Sequence, residues 1–141
     1  MRENSIIRNV LLFVGLVFIL GAFCGCGMEK TKVKKVRDVE FTVIEQSEIP
    51  KELLNTMEEK KKEGFKLTYT EEKNLYLAVG YGEQKTGGYS ISVDECFLAK
   101  NAIYFGTTLT GPQKGERINE VSSYPCIVVK MENIEEPVVF E

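Results

Sequence analysis

Cysteine is the residue type in this chain with the widest range of chemistry, and it occurs as Cys24, Cys26, Cys96 and Cys126. The chain contains no histidine, which excludes Ser-His-Asp and Cys-His nucleophile systems and removes the commonest metal ligand. A thiol without a histidine base nearby is a poor candidate for catalysis. Carboxylates or lysines would have to form a recognisable constellation, and none is visible. We therefore predict a protein that is not an enzyme and has neither a metal nor a cofactor.

An apolar run precedes the first two cysteines. Val10–Phe23 has no charged residue and follows a short start with two arginines. The run is too short for a comfortable membrane span, but it suits the h-region of a secretory signal. Since Cys26 follows a small residue, Gly25, this junction resembles the lipobox of bacterial lipoprotein precursors. Cys24 follows Phe23 and fits that pattern less well, so we predict lipid attachment at Cys26 in preference to Cys24.

This resemblance divides the chain into three parts: a signal peptide over 1–25, a lipidated Cys with a basic tether over 26–37, and a single domain over 38–141. The alternative is an uncleaved N-terminal anchor helix with incidental cysteines. Either arrangement implies a protein bound to the bilayer at the outer face of the cytoplasmic membrane. Basic residues in the tether would then attract anionic headgroups or simply form a solvated linker. The net charge of −3 gives no indication of nucleic-acid binding.

The other two cysteines lie in the predicted domain, and an exported protein permits them to pair. If Tyr89 and Val93 face inward, strict alternation places Cys96 on the outer face of its strand. Cys126 shares its parity with Lys130, which also favours an outer position. A disulfide between Cys96 and Cys126 is therefore possible if their strands are neighbours.

Hydrophobic periodicity predicts one helix and several short strands. The helix is Ile49–Gly64, with Pro50 in its first turn, an apolar stripe that includes Leu53 and Met57, and a glycine at its end. The predicted strands are Val36–Glu45, Phe65–Glu71, Leu75–Gly82, Tyr89–Ala99, Ala102–Thr110, Pro125–Glu132 and Pro137–Glu141. Short connections favour antiparallel pairing. The expected fold is mainly β with one helix (α+β): an antiparallel β-sandwich or strongly curled sheet with the helix packed against it.

Two loops are the best candidates for a binding surface. They are Gly82–Gly88 and the longer Thr110–Ser123, and both are rich in glycine and polar residues. Long loops on a β scaffold are often functional, although ordinary turn chemistry also explains them. The residues of interest are Gln84, Lys85, Thr86, Gly87, Gly88 and Tyr89 in the first loop and Gly111, Pro112 and Lys114 in the second.

A family resemblance rests on three segments: "LYLAVGYGEQKTGGYSISV", "IYFGTTLTGP" and "SYPCIVVKM". Together they resemble the C-terminal domain of the protease complex subunit PrcB family, with a Thr-Gly-Gly-Tyr turn, a Gly-Pro loop and a Tyr124–Pro125 pair opening a late strand. The resemblance is strongest over 74–141. It implies an exported, non-catalytic protein, often lipid-anchored, from a family named for association with a surface protease.

A second resemblance concerns the first loop. Lys85–Tyr89 is similar to the Thr-Thr-Gly-Tyr loop of chagasin-type cysteine-protease inhibitors, in which glycine lets the backbone approach a partner's cleft. This chain has Ile91 where those inhibitors have an aromatic residue. We expect Thr86, Gly87 and Gly88 to form a turn that needs positive φ, with Tyr89 anchored in the core.

These observations predict a membrane-anchored accessory or binding protein that docks or stabilises an exported protease or another envelope protein. A chagasin-like protease inhibitor and an envelope ligand-binding module are the alternatives.

Overall fold

The structure, a computed structural model, describes residues 33–141. The predicted signal peptide and both N-terminal cysteines lie outside these residues. The strands are β1 (Lys35–Asp38), β2 (Thr42–Val43), β3 (Phe65–Glu71), β4 (Asn74–Gly80), β5 (Ser90–Ala99), β6 (Ile103–Thr110), β7 (Cys126–Glu132) and β8 (Val138–Phe140). A short 3-10 turn (Gln46–Glu48) precedes the helix α1 (Lys51–Lys60).

The strands form two four-stranded sheets, which confirms the predicted mainly β fold with one helix. Sheet 1 has the order β1-β5-β6-β8, and sheet 2 has the order β2-β7-β4-β3. All pairings are antiparallel except that of β8 with β6, which is parallel. The parallel pair departs from the expected antiparallel arrangement, because β8 returns through residues 133–137 from the other sheet.

The core has two layers. Between the sheets, Leu77, Val129, Ile103 and Phe105 are almost completely buried. On the opposite face of sheet 2, a second cluster packs against α1, and its members are Ile44, Leu53, Met57, Phe65, Tyr76, Ala78 and Val128. Sheet 2 is therefore covered on both faces, which explains why β4 is a continuous apolar run rather than an alternating one.

Helix α1 confirms the predicted helix, but Lys51–Lys60 is shorter at both ends than the predicted Ile49–Gly64. Pro50 stands at the N-cap, where its missing N–H costs no intrahelical hydrogen bond. Gly64 has a φ of 89°, and its N–H donates to the Lys60 carbonyl at 3.0 Å. An added Cβ at Gly64 would lie 2.8 Å from the Gly80 oxygen, so the chain needs glycine there for close approach as well as for φ.

The first predicted strand is wrong in its extent, because Val36–Glu45 divides into β1 in sheet 1 and β2 in sheet 2. Val39 is buried where the chain crosses between the sheets, but Val43 is 55% exposed and Ile44 faces the helix layer instead. The predicted domain boundary at residue 38 is also late. Sheet 1 already begins at Lys35, so Lys35 and Arg37 belong to β1 and not to a tether.

Candidate protein-docking rim

The two predicted loops come together at one end of the sandwich. Gln84 and Ser123 form an antiparallel bridge, in which each backbone N–H donates to the other residue's carbonyl at nitrogen-to-oxygen distances of 2.8 and 3.0 Å. The Gly87 N–H donates to the Asn119 carbonyl at 2.8 Å, and the Ser123 hydroxyl donates to the Thr86 carbonyl at 2.6 Å. We call the surface formed by Gly82–Gly88 and Thr110–Ser123 the loop rim.

The second glycine of this pair, Gly88, is explained by contact with the second loop. Gly88 has a φ of 87°, as expected for this turn, and is the position where a side chain would be strained. An added Cβ there would lie 3.0 Å from the Pro112 Cβ and 3.3 Å from the Ile118 Cγ2. Gly87 contributes its N–H to the bond with Asn119. Two backbone groups of this turn, the Gly87 N–H and the Thr86 carbonyl, are therefore already bound by the second loop.

Tyr89 does not anchor β5 in the core, contrary to expectation. Its side chain is only partly buried and belongs to neither core cluster. The ring lies over Gly111, where an added Cβ would be 3.2 Å from the Tyr89 Cε1 atom. Tyr89 thus packs the two loops against each other, and Gly111 leaves room for the ring.

The exposed part of the loop rim is the second loop. Every residue from Gln113 to Ser122 is exposed. Two of them are large and apolar: Ile118 is 44% exposed and Val121 is 64% exposed. Lys85 and Lys114, which the loop sequences indicate as binding candidates, are exposed. Ile118 and Val121 were not predicted. Both are apolar residues in an otherwise polar loop, and this contrast in the sequence could have indicated them as binding residues.

These loops and the strands that carry them lie in a segment that matches a known family model. Residues 75–132 match the PrcB C-terminal family. The match extends from β4 to β7 and so contains the whole loop rim, which confirms the resemblance predicted from the loop motifs, over a narrower range than 74–141. No curated protein matches the chain. No solved structure matches it either.

The Tyr-Pro pair within the PrcB C-terminal match connects the loop rim to the helix. The Tyr124 hydroxyl donates to the Glu83 carboxylate at 3.3 Å, and the Lys61 Nζ lies 5.0 Å from the centre of the Tyr124 ring. The Pro125 carbonyl accepts a hydrogen bond from the Tyr81 N–H at 3.0 Å. The pair therefore fixes the strand that leaves the second loop, which is a structural role.

Cys96 and Cys126 are free thiols and lie on different sheets. The prediction that Cys96 faces outward is wrong, because a β-bulge between Val93 and Glu95 inserts one residue and reverses the alternation. Cys96 is buried between the sheets, and this burial raises the pKa of its thiol to about 11. Cys126 is exposed as predicted, although nearby packing raises the pKa of its thiol above the usual value.

Within residues 33–141, the structure contains no helix long and apolar enough to cross a membrane. The same residues hold no cluster of three or more acidic or cysteine side chains with the geometry of a metal site. Cys24 and Cys26, the predicted lipid-attachment residues, lie outside the described part of the chain.

Proposed function

We propose that this protein is a lipid-anchored accessory subunit that docks an exported protease through the loop rim. The PrcB C-terminal match supports a role as a subunit of a protease complex. The observation that carries the proposal is the joining of the two loops by backbone hydrogen bonds, which presents Ile118 and Val121 on a fixed support. Exposed apolar residues on a preorganised surface are the usual centre of a protein interface.

The anchor in this proposal is a lipid on Cys26, and the protein acts at the outer face of the cytoplasmic membrane. The Gly25–Cys26 junction after the apolar run supports this part. Mass spectrometry of the membrane-extracted protein tests it: an N-terminal diacylglyceryl-modified Cys26 would support the anchor, and an unmodified N-terminal helix would refute it.

The inhibitor alternative receives less support from the geometry of the first loop. An inhibitor of that type needs backbone that can enter a cleft, whereas the Gly87 N–H and the Thr86 carbonyl are both engaged by the second loop. The outward surface of the rim consists of side chains instead. We therefore propose docking rather than active-site blockage.

Affinity capture distinguishes these functions. The full chain, purified in mild detergent, would serve as bait for envelope extracts of the source cells, and the eluate would be assayed for peptidase activity. The control bait carries Ile118→Asp and Val121→Asp. Retention of an active peptidase by the native bait and not by the control supports the proposal. A peptidase that becomes active only after the bait is removed would indicate inhibition, and no peptidase at all would contradict the proposal.

A further inference from the structure

Strand β5 is paired along only part of one edge. On the side of β1, its pairing covers Phe97–Ala99, and one further hydrogen bond joins the Val39 N–H to the Cys96 carbonyl at 3.0 Å. After Val39 the chain crosses to sheet 2 and forms β2. Within residues 33–141, no backbone hydrogen bond reaches the β1 side of Ser90–Glu95. We call this stretch the open β5 edge.

The open β5 edge has the dimensions of a short strand. Its six residues span roughly 20 Å at about 3.3 Å per residue. In an antiparallel ladder, alternate residues direct their N–H and C=O groups away from the paired strand. Because β6 already pairs with the other side of β5 over Ser90–Val93, the groups on this side are available to one added strand that continues the line of β1.

A cavity of about 630 Å³ lies beside this edge, at the point where β1 leaves the sheet. Apolar side chains in its lining include Val39, Phe41 and Val93. A strand added here would direct alternate side chains toward this cavity and the others toward the outer face of sheet 1. The edge therefore provides both features of strand-addition sites: main-chain partners and a pocket for alternate side chains.

The charges near the open β5 edge indicate which kind of peptide segment could bind there. Asp94 and Glu95 belong to the lining of the cavity. The Asp94 carboxylate accepts hydrogen bonds from the Ser92 and Thr108 hydroxyls, and the Glu95 side chain lies over Gly106 with Glu141 against it on the outer face. Lys35 is the basic residue of the lining, and it is already paired with Asp38 at 2.6 Å. The negative charge that remains favours an extended segment with basic residues on one side.

We propose that the open β5 edge binds an extended segment of a partner protein in which basic residues alternate with apolar ones, by strand addition to sheet 1. This rests on the proposed function only in that the ligand is a protein. A second copy of the acidic edge is disfavoured as occupant, because it would bring Asp94 and Glu95 of two chains together.

The probe is a fluorescein-labelled peptide of about ten residues with alternating valine and lysine. Its binding to the full chain is measured by fluorescence anisotropy, with backbone amide spectra recorded in parallel. A matched peptide carries N-methyl groups on the residues of one edge, and a second replaces lysine with glutamate. Glu95→Gln tests the charge at the edge, with Glu71→Gln at the end of the β3 edge as the control.

We expect the N-methylated peptide to bind at least about tenfold more weakly, because it loses main-chain donors. Glu95→Gln should weaken binding of the native peptide about threefold, and Glu71→Gln should not. Amide shifts should concentrate in Ser90–Glu95. Equal binding of the N-methylated peptide, shifts elsewhere, or concentration-dependent self-association that blocks the peptide would each overturn the proposal.

The test of the open β5 edge can be distinguished from the test of docking through the loop rim. A chain with Ile118→Asp and Val121→Asp should still bind the peptide, because these residues lie in the second loop and not in the lining of the cavity. Loss of peptide binding in that variant would overturn the assignment to the open β5 edge. Retained peptide binding with no captured peptidase would contradict the proposed function alone.

Discussion

The two thiols of the described domain have different surroundings and should differ in reactivity. The thiolate is the reactive form, and burial that raises the pKa of Cys96 to about 11 leaves little of it at neutral pH. The pKa of the Cys126 thiol is also raised, but this thiol is exposed. We therefore expect iodoacetamide to modify Cys126 at least about tenfold faster than Cys96 in the folded protein. Peptide mapping by mass spectrometry measures both rates. Equal rates would contradict the burial of Cys96, and denaturant should abolish the difference.

Glu95 should make stability depend on pH. A hydrogen bond with the Glu141 carboxyl raises the pKa of Glu95 above its ordinary value of 4.5. The folded state therefore binds this proton more tightly than the unfolded state, and the free energy of unfolding falls as pH rises through the raised pKa. Glu95→Gln removes this fall. The variant should unfold at a higher urea concentration than the native chain at about pH 7 and at the same concentration at about pH 4.

Urea unfolding at the two pH values measures this effect, with Glu71→Gln as the matched exposed control. A variant less stable than the native chain at neutral pH would contradict the account, since it would mean that the Glu95 carboxylate is stabilising there.

At the level of elements, β3 and β4 can approach closely because Gly80 has no side chain. An added Cβ at Gly80 would lie 2.5 Å from the Cε1 atom of Phe65, whose ring is buried against the helix layer. We expect Gly80→Ala to lower the free energy of unfolding by about 1–3 kcal/mol.

Gly87→Ala is the control for this substitution, because the nearest atom to an added Cβ there is 3.6 Å away, which is ordinary contact. Its effect should stay within about 0.5 kcal/mol. Chemical denaturation measures both variants. An unchanged Gly80→Ala protein would show that the Phe65 ring is not held in this position.

Hydrophobic periodicity predicted most helices and strands because their apolar residues repeat regularly. Side-chain orientation in β5 and the division of the first strand depend on features that periodicity does not show. Helix α1 and strand β3 follow from local pattern and from the stop at Gly64. The orientation of Cys96 does not, because one inserted residue, Asp94, reverses every later side chain in β5. The predicted first strand divides because its two halves join different sheets. Which sheet each half joins depends on tertiary contacts, and the local sequence pattern does not indicate it.

At the scale of the whole molecule, the sandwich brings both predicted loops to one end, which sequence alone left conditional on strand order. Gly88, Gly111 and Tyr89 pack the two loops against each other, and the Gly87 N–H bonds to the second loop. The outward surface is supplied by Ile118 and Val121, which stand in the second loop. The sequence motifs thus predicted the position of the loop rim, and the structure identifies which of its residues are exposed.

Site-specific photocrosslinking from position 118 tests most directly whether a partner docks on the loop rim. The full chain would carry a photoreactive amino acid at residue 118 or, as control, at residue 72, in the turn at the other end of β4. After irradiation in envelopes of the source cells, the crosslinked product would be identified by mass spectrometry. We expect one specific product with a protease or protease-complex subunit from position 118 and none from position 72. The same products from both positions, or no product from position 118, would contradict this expectation.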